Sequence, residues 1–303
     1  MRAVLQDLKS VAGLIRLYPL NRSPLARAGA WYRFIAWQML GRLRSGPLEA
    51  PFVDGTRLLV KRRLGGRLHY VLGMAEFDDM AFVAHLLRRD EVFADVGANI
   101  GAYTLVAAAC AGARCVAFEP ATRAFRYLAD NVALNHLDTR VEMQPSAVGA
   151  AAGRIALTEG MGEINHVLRA GEAGETVQAE MVSLDGFFAG RTPPTLIKVD
   201  VEGFETEVIR GAARLLREQP PLALLLEMTG HGARYGYDEA GLRKGLIESG
   251  YQLCTYDALR RRLNPLDPGG TELPYNLLFI RDFEAAQARL RDAKPFTLGR
   301  HKI

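Results

Sequence analysis

Cysteine is scarce: Cys110, Cys115 and Cys254 are the only three in 303 residues. An odd number cannot close a disulfide framework, and this spacing matches no zinc pattern. Thiols buried as small apolar groups in a cytosolic protein are the expectation. No apolar run reaches the length that crosses a bilayer. The amino terminus lacks the basic start, apolar centre and small-residue cleavage site of a secretory signal. Neither an internal repeat nor a low-complexity tract occurs. Acidic residues are almost missing from the first 44 positions, where Asp7 stands against Arg2, Lys9, Arg16, Arg22, Arg27, Arg33, Arg42 and Arg44. That leader carries +7 in a chain whose net charge is +4, so the remainder sums to −3. A mildly acidic body argues against a nucleic-acid groove running through it.

What is present begins with that leader. Residues 3–18 and 27–44 place apolar side chains at helical spacing (Val4, Leu5, Leu8, Val11, Leu14, Ile15, then Trp31, Phe34, Ile35, Leu40). Asn21, Ser23 and Pro24 separate the two helices, with Ser23 suited to cap the second. Two readings stay open: the helices lie on an anionic membrane surface, or they cap the body with their apolar faces. Leu58–Lys61 and Leu68–Val71 then read as strands joined through Gly65-Gly66, followed by a helix over Met74–Arg89.

From residue 92 strands and helices alternate. Strands are expected near 92–96, 114–118, 139–144, 195–199, 222–228, 251–256 and 276–281, with helices near 101–111, 122–135, 204–217 and 238–249. Such alternation predicts an α/β fold with a mainly parallel sheet covered on both faces. Residues 147–183 break the rhythm. Gly149, Gly153, Gly160, Gly162, Gly171 and Gly174 punctuate β-prone pieces at Arg154–Leu157 and Val177–Val182, which reads as an inserted hairpin or lid. The organisation expected is a basic helical extension (1–50), a hairpin and helix (51–90), and a catalytic domain (91–303) carrying the insertion.

Val92–Leu105 holds the ligand signal: a short buried strand, a turn containing Gly97 and Gly101, and the start of a helix. Asp95 ends the strand. Glu119 ends the next strand, 22 positions after Gly97, where an acid accepts hydrogen bonds from ribose hydroxyls. The middle glycine of a dinucleotide motif is missing, because Ala98-Asn99-Ile100 separates the two glycines. A nicotinamide enzyme is therefore the weakest reading, and a nucleoside without pyrophosphate fits better, S-adenosylmethionine being the commonest. A third element, Leu196–Glu205, runs an apolar strand into Asp200 and Glu202 at the sheet's carboxyl edge. Glu202 and Glu205 could instead cap the following helix. Lys198 reads as a neutralising partner rather than a base.

Asp95-Val96-Gly97-Ala98-Asn99-Ile100-Gly101, Phe118-Glu119-Pro120, Ser183-Leu184-Asp185, Ile197–Glu205, Leu225-Leu226-Glu227 and Asn276–Phe279 stand in the order seen in FkbM-type methyltransferases, which this chain resembles over about residues 70–282. The resemblance implies a class I, Rossmann-like fold with a seven-stranded sheet whose last strand is antiparallel. It implies S-adenosylmethionine-dependent O-methylation of hydroxyls on sugars, glycans, polyketides and related metabolites. Carried over by position, Asp95, Gly97, Asn99 and Gly101 would line the methionine and ribose part. Glu119 would hold the ribose, and Pro120, Ser146 and Ala147 would edge the adenine. Asp200 and Glu202 would sit where the methyl meets a small-molecule or glycan acceptor.

In-line transfer needs alignment above all, and an alcohol needs a nearby base. Base candidates are Asp200, Glu202, Glu227, His231 in the Thr229-Gly230-His231-Gly232 loop, and His166 if the insertion closes as a lid. A divalent cation could join the carboxylates, although no spacing demands one. N-methylation is a second reading, but its enzymes typically follow the fourth strand with Asn/Asp-Pro-Pro-aromatic, and this chain has Asp200-Val201-Glu202-Gly203. A cofactor-binding scaffold without catalysis is a third.

Overall fold

The computed structural model describes residues 2–43, 46–61, 66–158, 166–168, 176–270 and 273–303, with side chains from Ser10 onward. Gly65, Gly160, Gly162, Gly171 and Gly174, named above as turn positions, lie outside the described residues, as does Arg44.

Helices α1 (Arg2–Leu17) and α2 (Pro24–Leu43) form the leader, and the Ser23 hydroxyl accepts from the Ala26 N–H at 3.1 Å as an N-cap. Val11, Ile15, Phe34 and Trp37 are buried in the same core as Met80, Phe82 and Leu86 of the body. The capping reading therefore holds for one face of this pair.

Strands β1 (Leu48–Pro51) and β2 (Arg57–Val60) come next and pair antiparallel. The expected hairpin of β2 with Leu68–Val71 is not formed, because those residues belong to helix α3 (Arg67–Leu72). The reason is local. Asp54 and Gly55 both take positive φ (46° and 76°), and the Thr56 N–H closes on the Val53 carbonyl at 2.8 Å. That is the Asp-Gly turn that matches strand twist, and it claims β2 for the preceding segment. Helix α4 (Phe77–Leu86) starts later than expected.

The body alternates β3 (Val92–Val96), α5 (Ala102–Val106), β4 (Arg114–Phe118), α6 (Thr122–Leu134) and β5 (Val141–Gln144). The insertion supplies β6 (Ser146–Val148), β7 (Gly153–Thr158) and β8 (Thr176–Val182), a small sheet ordered β6-β8-β7. After the single turn α7 (Leu184–Phe187) come β9 (Leu196–Val199), α8 (Glu205–Arg210), α9 (Ala213–Glu218), β10 (Ala223–Glu227), α10 (Glu239–Glu248), β11 (Gln252–Asp257), β12 (Arg262–Pro265), β13 (Asn276–Ile280) and α11 (Phe283–Arg291). The helix expected over 204–217 is thus two. Asp185 takes the Arg214 and Leu215 N–H groups, both at 2.8 Å, and so opens α9.

The main sheet has eight strands, ordered β12-β11-β13-β10-β9-β3-β4-β5. β13 runs antiparallel between β10 and β11, as expected of a seventh strand, and β12 adds an eighth at the edge. Apolar residues on both faces explain why β3, β4 and β9 are almost wholly buried. The chain leaves β3 toward β4 on one side and returns to β9 on the other. That reversal opens a crevice at the carboxyl ends of β3 and β9, where ligands bind in such sheets.

Candidate active site

A cleft of about 750 Å³ occupies that crevice. Gly97 makes it: with φ of +79°, it lets the β3 turn approach the Asp200 carbonyl so closely that a Cβ would lie 1.8 Å from that oxygen. Gly97, Asn99, Glu119, Pro120, Ser146, Ala147, Asp200 and Glu202 all line the cleft. Asp95 and Gly101 do not. Asp95 is fully buried behind the turn, where it accepts from the Thr104 hydroxyl at 2.6 Å and faces the Lys198 ammonium at 3.9 Å. Gly101 packs against Leu128.

Glu119 reaches back across the turn, its carboxylate accepting from the Asn99 and Ala121 N–H groups at 2.8 Å each. Burial pushes its carboxyl up to about 7 against those two hydrogen bonds. The insertion contributes Leu157, His166 and Val167 to the wall. His166 is held there by its backbone, which exchanges hydrogen bonds with Thr158, while the Tyr235 hydroxyl donates to the Val167 carbonyl at 2.7 Å. The described part of the insertion therefore does fold over the cleft.

At the β9 end the carboxylates divide their work. Glu205, the first residue of α8, ties down the turn before it rather than the helix end: its Oε1 accepts from the Val201 and Gly203 N–H groups at 3.2 and 3.0 Å. Glu202 does not cap. It adopts φ of +55°, a cost for a non-glycine residue, and meets His231 Nδ1 at 2.9 Å. Gly203, at φ +102°, allows the His231 backbone to rest on this turn, since a Cβ would lie 2.7 Å from it. Glu239 in turn fixes the His231 loop, accepting from Gly230 at 3.0 Å and Gly232 at 2.7 Å.

One buried cation serves many acids. Lys198 binds Asp200 at 3.0 Å and lies 4.8 Å from the centre of the Tyr103 ring. Burial disfavours its charge, but Asp200, Asp95 and Glu76 outweigh burial and hold it firmly protonated. Burial likewise opposes the charge on Asp200, yet Lys198 keeps that carboxylate below its ordinary value. Burial and the Asp200 charge then push Glu227 up to about 9, so it enters neutral solution as an acid hydrogen-bonded to Asp200. Burial and Asp200 raise Glu202 as well, opposed by His231. Asp200, Glu202 and Glu227 each bring an oxygen within 4.8 Å of the others, a spacing a hard cation could bridge. Behind them, burial lifts Asp79 to about 7 although Asn276 donates to it at 3.0 Å, and the Tyr103 hydroxyl donates to Glu76 at 2.5 Å.

These raised carboxyls set a direction for stability. Glu119 and Glu205 stand near 7 in the folded chain against about 4.3 for a free glutamate. Folded protein thus binds more protons than unfolded between those values. The contribution is complete below about pH 4.3 and is lost as pH rises through 7. Urea unfolding of the ligand-free protein is expected to show stability falling from pH 5 to pH 8. Glu205→Gln, whose amide oxygen can keep both backbone contacts, removes about 2–3 kcal/mol of that fall. An unchanged slope in the variant would refute the assignment.

The Methyltransferase FkbM domain matches residues 95–253, more than half of the chain. The chain belongs to the FkbM methyltransferase family. It is accordingly an S-adenosylmethionine-dependent methyltransferase, and the cleft fits that cofactor. Glu119 can receive ribose hydroxyls, Ser146 Oγ is buried without a hydrogen-bond partner at the end bounded by Pro120 and Ala147, and the acidic floor suits a sulfonium. Comparison with curated proteins finds no match. Solved structures with a similar chain path include precorrin-6y C5,15-methyltransferase from Geobacter metallireducens, with 13% identity, 66% of this chain and 83% of that one covered, and a TM-score of 0.36. A SAM-dependent O-methyltransferase from Thermotoga maritima gives 14%, 67%, 64% and 0.36. TrmK from M. capricolum, solved with S-adenosyl-homocysteine, gives 9%, 67%, 68% and 0.36. At these scores the likeness bears on neither substrate nor site. No helix among the described residues is long and apolar enough to cross a membrane.

Sequence reasoning places the strand-end acids but misses Glu239, Tyr103 and the Asp79–Asn276 pair as parts of the site. Glu239 has a local signal, as an acid opening a helix just after a glycine-rich loop. Asp79 and Asn276 are 197 residues apart, and no local signal joins them.

Proposed function

We propose that this enzyme methylates a hydroxyl of a sugar, glycan or glycosylated or polyketide metabolite. The observation that carries the reading is the Glu202–His231 contact at 2.9 Å, beside the mouth of the cofactor cleft. With Nδ1 donating to Glu202, Nε2 is left as the acceptor of a proton from the substrate hydroxyl. Glu202 orients the ring and stabilises the charge it gains. Asp200, held ionised by Lys198, lies at the cofactor side, and protonated Glu227 donates to it. S-adenosylmethionine supplies, when bound, an electrophilic methyl group; the chain's task is to align the acceptor and remove its proton.

Two features favour a hydroxyl on a glycosylated molecule. Phe204, Tyr235 and Tyr237 form an aromatic cluster next to the His231 loop, with ring centres 5.8–6.2 Å apart, apolar faces of the kind that pack on sugar rings. The turn after β9 follows Asp200 with Val201-Glu202-Gly203, where the N-methylating motif would follow its Asn or Asp with two prolines and an aromatic.

Purified full-length protein incubated with S-adenosylmethionine and matched panels of sugar alcohols, glycosides and amines should release S-adenosylhomocysteine with hydroxyl acceptors. Turnover confined to amines would overturn the reading. Tight cofactor binding with no turnover on any acceptor would favour the scaffold.

A further inference from the structure

Helix α2 has two apolar faces. Ala30, Phe34 and Trp37 enter the core, while Leu25, Tyr32, Ile35, Met39 and Leu43 are 55–78% exposed on the opposite side. At 3.6 residues per turn those five fall within about a quarter of the helix circumference, a continuous stripe. Leu14 and Leu17 of α1 are exposed as well. Seven of the nine exposed large hydrophobic side chains among the described residues belong to this helix pair, the other two being Leu259 and Tyr275. A patch so concentrated marks a surface that something covers.

The charge around it identifies the cover. Arg16, Arg27 and Arg42 on the same helices and Arg22 between them are exposed, and no acid occurs between Asp7 and Glu49. Next to the stripe, a cleft of about 900 Å³ opens between α1–α2 and the carboxyl-terminal segment 297–302. Arg33 and Arg300 line it beside Leu25 and Leu298, and no carboxylate does. A second copy of this chain would stack cation on cation across a two-fold axis. An apolar strip bordered by arginines, with a cation-lined cleft alongside, matches a bilayer with anionic headgroups.

We propose that α1 and α2 dock this enzyme on an anionic lipid surface, the α2 stripe entering the acyl boundary and the Arg33/Arg300 cleft receiving a headgroup phosphate. The helix pair packs on the segment that reaches the site. Tyr18 at the end of α1 packs on Phe77 with ring centres 5.6 Å apart, next to Glu76, which binds Tyr103 beneath the Lys198 cluster.

The test is flotation of the full chain with vesicles of phosphatidylcholine alone or mixed equally with phosphatidylglycerol, at low and high salt. Co-flotation is expected only with the mixed vesicles at low salt. Ile35→Glu/Met39→Glu should weaken partitioning at least about tenfold, and Arg300→Glu several-fold. Leu259→Glu, on the other exposed apolar site, should change nothing. The exposed positions chosen leave the core intact, and circular dichroism verifies that each variant is folded. Failure of the wild type to float with mixed vesicles overturns the proposal. So does flotation of the Ile35/Met39 variant at wild-type level, or a wild-type dimer in sedimentation velocity that this variant splits.

Discussion

Replacing His231 with alanine is expected to lower kcat by about 10²–10⁴-fold, the range of a lost general base, while S-adenosylmethionine affinity stays within about twofold. The separation follows from position. His231 does not line the cofactor cleft, whereas its partner Glu202 does. Its side chain is 39% exposed, so truncation leaves no cavity in the core. Its loop is held by Glu239 and by the glycine at 203, not by the ring itself. Added imidazole should restore part of the alanine variant's rate, which a purely structural role would not allow. Glu202→Gln should fall between wild type and His231→Ala, since glutamine can still accept from Nδ1 but offers no charge to the imidazolium. An alanine variant retaining a third or more of wild-type turnover would transfer the proton to another group. Asp200 and Glu202 are then the remaining candidates at the cleft, because Glu227 is protonated until about pH 9.

Much of this site is legible in the chain because it sits at strand ends. Once β3, β4, β9 and β10 are read from their apolar runs, the residue after each run is at the crevice, and Glu119, Asp200, Glu202 and Glu227 follow directly. What fails is information that depends on packing between distant segments. Glu202 and Glu205 are equivalent as helix caps on sequence alone; the structure makes neither the cap, turning Glu205 onto the Val201–Gly203 turn and Glu202 onto the His231 loop that rests on Gly203. Asp95 looks like a ligand from its place in the motif, yet it is covered by Thr104 and Lys198. The leader hairpin is ambiguous in sequence because Gly65-Gly66 and Asp54-Gly55 are both turn signals, and only the second has strands of matching burial on either side. Helix α2 is only weakly amphipathic because its two apolar faces oppose each other, one turned to the core and one to the outside.

The close contact of Gly97 with Asp200 gives the other large effect. Two costs attend a side chain there, and they can be measured apart. Left-handed φ costs an alanine about 1–2 kcal/mol on its own. Gly190, with φ of +74° and nothing within 4 Å of the place a methyl would occupy, isolates that cost. Gly97→Ala carries the same strain at +79° and adds a methyl 1.8 Å from a backbone oxygen, which no rotamer change can relieve. Either the β3 turn or the Asp200 turn must move, and both form the cofactor wall. Gly190→Ala should therefore lose about 1–2 kcal/mol in urea unfolding and bind S-adenosylmethionine normally. Gly97→Ala should lose at least about 3 kcal/mol and bind it at least a hundredfold more weakly by calorimetry. Matching behaviour of the two variants would mean that the turn yields without disturbing the site, and the cleft would then owe its shape to something other than this contact.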